Sequence, residues 1–191
     1  MGETSAGILG TGHVGLVAAV VYADRGFSVL ASSQDPEVEE YSGKKAGDAF
    51  GVCMSPEFLR QGAAVHDTQS PDSVVIGELD RRSGDMLEAF SNEVYRGQNV
   101  PVFRMNLENA EMVKYGRNTF WAMNISYINE MARIAETIPG VDIYEVVKGV
   151  GADWRINPAF LNAGCGYGGS CFPKDVKALI SYARTRGVEP Q

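Results

Sequence analysis

Thirty residues, Leu107 to Glu136, run without a proline and with a single glycine, Gly116. Nothing in that stretch breaks the backbone ladder, so it reads as one helix about 45 Å long at about 1.5 Å per residue. A small domain cannot cover such a rod. It carries Phe120, Trp121, Met123, Tyr127 and Met131, which call for an apolar partner surface, so a homodimer through residues 107–136 is expected, with an intrachain core as the alternative. Pro139-Gly140 ends the stretch.

Ahead of this helix, helical and extended patterns alternate. Ala6 to Gly10 reads as a short strand, Val14 to Ala23 as a buried helix and Phe27 to Ala31 as a second strand, a unit of about 30 residues that suits a parallel crossover. Glu37 to Ala46 is polar and helix-permissive. Phe50 to Met54, Ser73 to Gly77 and Val100 to Arg104 read as strands, and Asp80 to Tyr95 as an amphipathic helix. Beyond the long helix come a shorter one (Asp142 to Lys148), a glycine-rich segment and a last helix (Pro173 to Arg186).

Charge narrows the function classes. The 191 residues hold 17 Lys+Arg against 24 Asp+Glu, a net charge of −7, with no basic block, which argues against nucleic acid and against a polybasic membrane contact. The longest apolar runs fall far short of the ~20 residues of a membrane span, and the N-terminus lacks the order of a signal peptide, so a cytoplasmic location is expected. Three cysteines, Cys53, Cys165 and Cys171, cannot all pair. With only His13 and His66 as histidines, no metal site is expected.

Glycine, 22 residues in all, is concentrated in two clusters. In the first, Gly10-Thr-Gly12-His13-Val14-Gly15 stands between a strand and a helix, where it permits a tight turn, close backbone approach to a pyrophosphate and an anion at the helix N-terminus. A glycine turn without a ligand is the alternative. A ribose-binding acid should follow ~20 residues on; Ser32 and Ser33 stand there, with Asp35 slightly later.

The second cluster, Gly164 to Asp175, places Cys171 just before Pro173, a residue suited to the first turn of a helix. The positive end of that helix and the charge of Lys174 favour a thiolate, and Asp175, four residues on, could orient water or act as a base. A buried structural cysteine beside a helix cap is the alternative; Cys165 and Cys53 read as structural. Lys114 and Asn118, at i and i+4, share a helix face and could stabilise an oxyanion together, or simply form a solvated face. Glu57, after a strand, is either a site carboxylate or a helix-start acid.

The segments GTGHVGL, SPEFLRQGAAVHD, PDSVVIGELD, AEMVKYGRNTFWAMNISYINE and DWRINPAFLNAGCGYGGSCFPKDVKAL resemble the nucleotide-sugar 6-dehydrogenases, the UDP-glucose, GDP-mannose and related enzymes. That resemblance implies oxidation of a sugar C6 alcohol to a carboxylate, with two hydrides passed to two NAD molecules through an aldehyde, a thiohemiacetal and a thioester. It implies Cys171 as nucleophile, Lys114 and Asn118 at the oxyanion, Glu57 as acid/base and Asp175 as the water-orienting carboxylate. Substrate contacts are implied at Phe58, Leu59, Arg155 (across the dimer), Asn162, Tyr167 and Gly168, and cofactor contacts at Gly10, Gly12, His13, Val14, Gly15, Gln61 and Lys174.

The expected architecture is therefore α/β: a shortened, partial Rossmann-like parallel sheet over residues 1–104, then an all-helical dimerisation domain over residues 105–191 that carries the catalytic cysteine. Only 45 residues (55 − 10) separate Gly10 from Ser55, too few for two mononucleotide halves, and the family's third domain lies beyond Gln191. UDP-glucose is the first choice of substrate on the Asp-Trp-Arg-Ile-Asn and Gly-Tyr-Gly-Gly-Ser-Cys-Phe segments, and GDP-mannose the alternative on Ser42-Gly-Lys-Lys-Ala-Gly and Ile76-Gly-Glu-Leu-Asp. A catalytically silent, dimerising nucleotide-sugar-binding module is the rival of another class.

Overall fold

The computed structural model of the chain describes residues 5–9, 18, 21–22, 25, 28–32 and 51–190, and the chain divides into two compact units, Met1–Lys114 and Tyr115–Gln191. In the first unit, β1 (Ser5–Leu9) and β2 (Ser28–Ser32) pair in parallel, from Ser5 opposite Ser28 to Leu9 opposite Ser32. Parallel neighbours need a crossover rather than a hairpin, and Ala18, Val21 and Tyr22 between them are helical. The expected Gly10 to Gly15 loop with His13 and Val14, Ser33 and Asp35, and the helix at 37–46 lie outside the described residues.

A second sheet has the order β3 (Cys53–Met54), β4 (Val74–Glu78), β5 (Val102–Asn106). The run Val74-Val-Ile-Gly is buried throughout, as a central strand covered on both faces requires. β5 pairs with it in parallel, whereas β3 runs antiparallel and contributes only Cys53 and Met54. The antiparallel edge is a departure from the parallel sheet expected over residues 50–54. At one end a Cβ on Gly51 would fall 2.3 Å from the Ser83 hydroxyl; at the other, Pro56 has no N–H to offer a ladder.

A short helix, α1 (Ala64–Gln69), precedes β4 and is tied by the 2.6 Å Arg60–Asp67 bridge; no helix was expected over these residues. α2 (Arg81–Val94) begins at Asp80, whose carboxylate accepts the Ser83 N–H at 2.9 Å and the Ser83 hydroxyl at 2.6 Å, a side-chain cap for a donor that has no intrahelical acceptor. Arg104 on β5 then gathers Glu78 (3.0 Å), Asp85 (2.5 Å) and Glu88 (2.9 Å), linking β4, α2 and β5. A Cβ on Gly84 would lie 1.5 Å from the Glu78 carboxylate, which would have to shift within its bridge to Arg104 to admit one.

Val74, Ile76, Val94 and Tyr95 form the core, with Tyr22, Phe90 and Val102 packed on it. Tyr22 meets Phe90 edge-on at 5.1 Å, and Arg25 donates to the Gln69 carbonyl at 2.9 Å while lying over the Tyr95 ring. These contacts dock the βαβ segment on the second sheet. Ile76 is fully buried, so Ile76→Ala is expected to cost about 2–5 kcal/mol through lost transfer energy plus a cavity. Denaturant unfolding measures it; a loss below about 1 kcal/mol would remove Ile76 from the centre of this core.

α3 (Leu107–Ala135) is the long helix of the sequence reading, 29 residues without interruption. Its first turns belong to the first unit, where Ala110 is fully buried and a Cβ on Gly77 would meet the Ala110 methyl at 2.6 Å. In the second unit Ala122, Ile128 and Ala135 are buried, while Phe120, Met123, Tyr127 and Ile134 are exposed. Trp121 departs from the exposed stripe expected of it. Its ring stacks on Phe160 at 5.0 Å and lies 6.2 Å from Phe172. Met131 is likewise half-buried.

Phe160 reaches that stack from the left-handed backbone region, at φ +65°, a conformation that costs a non-glycine residue about 1–2 kcal/mol and is tolerated where packing repays it. α4 (Ile143–Gly151) is capped by Asp142, whose carboxylate accepts the Tyr144 N–H at 2.8 Å. Gly151 lets the Pro158 ring close in, since a Cβ would approach it to 2.8 Å. α5 (Phe172–Thr185) closes the unit, with proline in its first turn.

Candidate active site

Two side-chain clusters carry the residues singled out by sequence, one in each unit. In the first, the chain leaves β3 and turns at Glu57, whose Oε2 accepts the Leu59 N–H at 2.8 Å. Lys114 on α3 donates to Glu57 Oε1 at 2.9 Å and to the Glu57 carbonyl, and its ammonium lies 5.4 Å from the centre of the Phe58 ring. Ammonium, carboxylate and aromatic face thus form one partly buried group. Phe58 and Leu59 are half-buried beside it, and Gln61 is exposed.

In the second cluster, Asn118 and Asp175 are both 3% exposed. The Asn118 amide donates to Asp175 Oδ2 at 2.5 Å, and Lys174 donates to Oδ1. Lys114 and Asn118 stand one turn apart on α3, and each is hydrogen-bonded to a carboxylate, Glu57 and Asp175 respectively. Asp175 is placed as the helix predicts: its N–H bonds the Cys171 carbonyl at 2.9 Å. Its side chain is buried.

Cys171 is the N-cap residue of α5 and is exposed, which overturns the buried structural cysteine. Its sulfur lies 3.7 Å from the Ser170 hydroxyl, at the end of the helix where unpaired N–H groups favour an anion. The Lys174 ammonium is held above the ordinary lysine range, chiefly by its hydrogen bond to Asp175, with burial opposing and the charges of Asp175, Tyr115 and Cys171 adding. Lys174 thus stays a cation at neutral pH, three residues on from Cys171.

The remaining expected contacts are on the surface of the second unit. Asn162, Tyr167 and Gly168 are exposed in the glycine-rich loop. Arg155 is exposed and folds back on Asp153, donating from Nε at 2.9 Å and from Nη2 at 2.5 Å; that guanidinium holds the Asp153 carboxyl below its usual range. Asp153 and Asn129 were missed by sequence. Asn129 Oδ1 accepts the Gly164 N–H at 3.0 Å and so anchors the loop to α3. Its signal was present: eleven residues at about 100° each bring Asn118 and Asn129 to the same helix face.

Among the described residues no group of three or more His, Cys, Asp or Glu side chains is placed to hold a metal. Cys165, expected to be structural, is exposed, whereas Cys53 is half-buried. Burial pushes the Cys53 thiol up, with the Asp80 and Glu78 carboxylates adding to it and Arg104 opposing. A raised thiol has less of the reactive thiolate at neutral pH. Alkylation with iodoacetamide, mapped by mass spectrometry, is therefore expected to label the exposed Cys171 well before Cys53; equal rates would contradict that order.

Comparison with known proteins bears on both units. A profile of the UDP-glucose/GDP-mannose dehydrogenase family, central domain, matches residues 108–191, and one of the same family's NAD binding domain matches residues 31–97. The chain is 48% identical over 157 residues to the UDP-glucose 6-dehydrogenase AglM of Haloferax volcanii, covering 82% of this chain and 36% of that protein. It is 43% identical over 156 residues to the GDP-mannose 6-dehydrogenase of Pseudomonas aeruginosa, covering 81% of this chain and 35% of that protein.

The structure of a UDP-glucose dehydrogenase from Pyrobaculum islandicum superposes with a TM-score of 0.82 at 27% identity, over 98% of this chain and 66% of that one. A GDP-mannose dehydrogenase from Pseudomonas aeruginosa gives a TM-score of 0.56 at 36% identity, over 92% of this chain and 43% of that one. The chain spans about a third of the length of the curated relatives it matches.

Proposed function

The chain belongs to the UDP-glucose/GDP-mannose dehydrogenase family, and on that premise we propose that it carries the thiol-centred part of a nucleotide-sugar 6-dehydrogenase. The observation that carries this reading is Cys171, an exposed thiol that caps α5 three residues before Lys174.

The Cys171 thiolate adds to the C6 aldehyde of the sugar, forming a carbon–sulfur bond as the carbonyl electrons move onto oxygen. Lys114 and Asn118 donate to that oxyanion, where a positioned donor is worth more than in water. Glu57, already hydrogen-bonded to Lys114, takes the alcohol proton. Asp175 holds Asn118 and Lys174 in place and orients the water that releases the carboxylate and returns the thiol. Phe58, Leu59, Asn162, Tyr167, Gly168 and Arg155 contact the substrate, Arg155 by exchanging its bridge to Asp153 for a ligand across a dimer.

NAD fits the first unit in the one respect its described residues test: β1 and β2 are parallel, and the Gly10, Gly12, His13, Val14 and Gly15 stretch follows the carboxyl end of β1 in sequence, the edge at which such units take a pyrophosphate. Gln61 and Lys174 complete the proposed cofactor contacts. Bound there, NAD would accept the hydride from C6 at each oxidation. A UDP-sugar is the first choice, on the higher identity to the UDP-glucose 6-dehydrogenase, with GDP-mannose second. Incubation with NAD and each nucleotide sugar, following reduced nicotinamide and the uronate product, tests the reading; binding without any oxidation would leave the silent module.

The exposed Phe120, Met123, Tyr127 and Ile134 of α3 support a homodimer, because an apolar stripe of this length is stable in water only when covered. Sizing with light scattering at micromolar protein is expected to give a dimer, and a monomer would contradict it. No helix among the described residues is long and apolar enough to cross a membrane. A cytoplasmic location accords with three free thiols.

A further inference from the structure

Cys165 is the thiol of the glycine-rich loop that the proposed reaction leaves unused. It is exposed, and so is Cys171, six positions on. Between them lie Gly166, Tyr167, Gly168, Gly169 and Ser170. Gly166 and Gly169 adopt φ +92° and +75°, left-handed conformations that turn the backbone, and a Cβ at either would meet nothing within 4 Å. Both glycines thus face open space.

A disulfide needs Cα atoms about 4.4–6.8 Å apart. Six peptide steps reach about 20 Å at full extension, so a loop that bends at Gly166 and Gly169 can bring its ends within that range, and closing so short a flexible loop costs little entropy. Cys53 is the weaker competitor, half-buried and with its thiol pushed up by burial. Cys171 caps α5, and a thiol at a helix N-terminus is the more reactive kind.

We propose that Cys165 is a resolving thiol for Cys171, and that a peroxide converts the pair to an internal disulfide that caps the Cys171 sulfur reversibly. The Cys171 thiolate attacks one peroxide oxygen; the O–O bond breaks, and with one proton the products are a sulfenic acid and one water. The Cys165 sulfur then attacks the sulfenic sulfur and displaces its hydroxyl as a second water. Two thiols lose two electrons and two protons, and hydrogen peroxide takes up both. Without Cys165 the sulfenic acid stays open to further oxidation, which thiol reductants do not reverse. That the disulfide also switches off an activity rests on the dehydrogenase reading above.

Trypsin places both thiols in one peptide, residues 156–174, and Cys53 in another, residues 46–60. After hydrogen peroxide treatment of the full chain, the first peptide is expected to be lighter by two hydrogens, to lose both alkylation sites and to regain them with dithiothreitol. Under the same treatment Cys165→Ser, a near-isosteric change at an exposed position, is expected to give a dimedone-reactive Cys171 that goes on to gain two oxygens. A wild-type peptide that gains two oxygens as readily as the variant, or a bridge to Cys53 or to a second chain, would overturn the proposal. The mass readout requires no turnover: cross-linking without oxidation of any nucleotide sugar would count against the dehydrogenase reading alone, and turnover without cross-linking against the resolving thiol alone.

Discussion

Cys171→Ser is expected to lower uronate formation by at least ~10³-fold, on the scale seen when a covalent nucleophile is removed from an enzyme. Serine keeps the size and position of the side chain at an exposed helix cap, so thermal unfolding should be unchanged. The chemistry differs: a hydroxyl at that cap is not ionised at neutral pH, and capture of the aldehyde carbon requires a nucleophile already carrying its electron pair. The alcohol-to-aldehyde step does not use sulfur. The variant should therefore bind substrate and stall before the acid, visible as trapped aldehyde on product chromatography. A variant that makes uronate at the parent rate would dismiss Cys171 as nucleophile.

Lys114→Ala carries the second large effect, a fall in kcat of about 10²–10³-fold, the usual loss when one oxyanion donor is removed. The competing idea is that Lys114 only steadies the Glu57 turn. Magnitudes separate the two. The pair is partly exposed, with Lys114 at 20% and Glu57 at 33% of side-chain area, and such bridges contribute about 0–1 kcal/mol to stability. Glu57 also keeps the Leu59 N–H when Lys114 is gone. A small change in unfolding midpoint with a large fall in kcat identifies a catalytic donor; a small change in both identifies a turn support.

Much of the fold was legible because the signals were local and repeated. Leu107–Ala135 is one helix since no proline interrupts it, and Val74–Glu78 is a central strand since its apolar run is unbroken. β3 was misread in extent and direction because two residues carry no periodicity; contacts with Ser83 and the proline that follows set its limits. Trp121 faces inward rather than a partner because Phe160, in a backbone conformation no pattern announces, places its ring against it.

Within the candidate site, the spacing of Cys171, Lys174 and Asp175 was readable from helix geometry. The engagement of Lys114 by Glu57 and of Asn118 by Asp175, 57 positions apart in each case, was not, because i and i+4 spacing says which residues share a face and nothing of what else reaches that face. Cys165 was read as structural by default, since small sulfur side chains are more often buried than not. Only its exposure in the glycine-rich loop brought its chemistry into view.

The central claim is that one sulfur, that of Cys171, becomes covalently attached to the sugar. Mixing the chain with NAD and a nucleotide sugar, quenching in acid and mapping tryptic peptides tests it most directly. The expected result is an acyl adduct on Cys171 in peptide 156–174, absent from Cys171→Ser. Uronate production with no adduct on that peptide at any quench time, or an adduct carried by Cys165 instead, would contradict it.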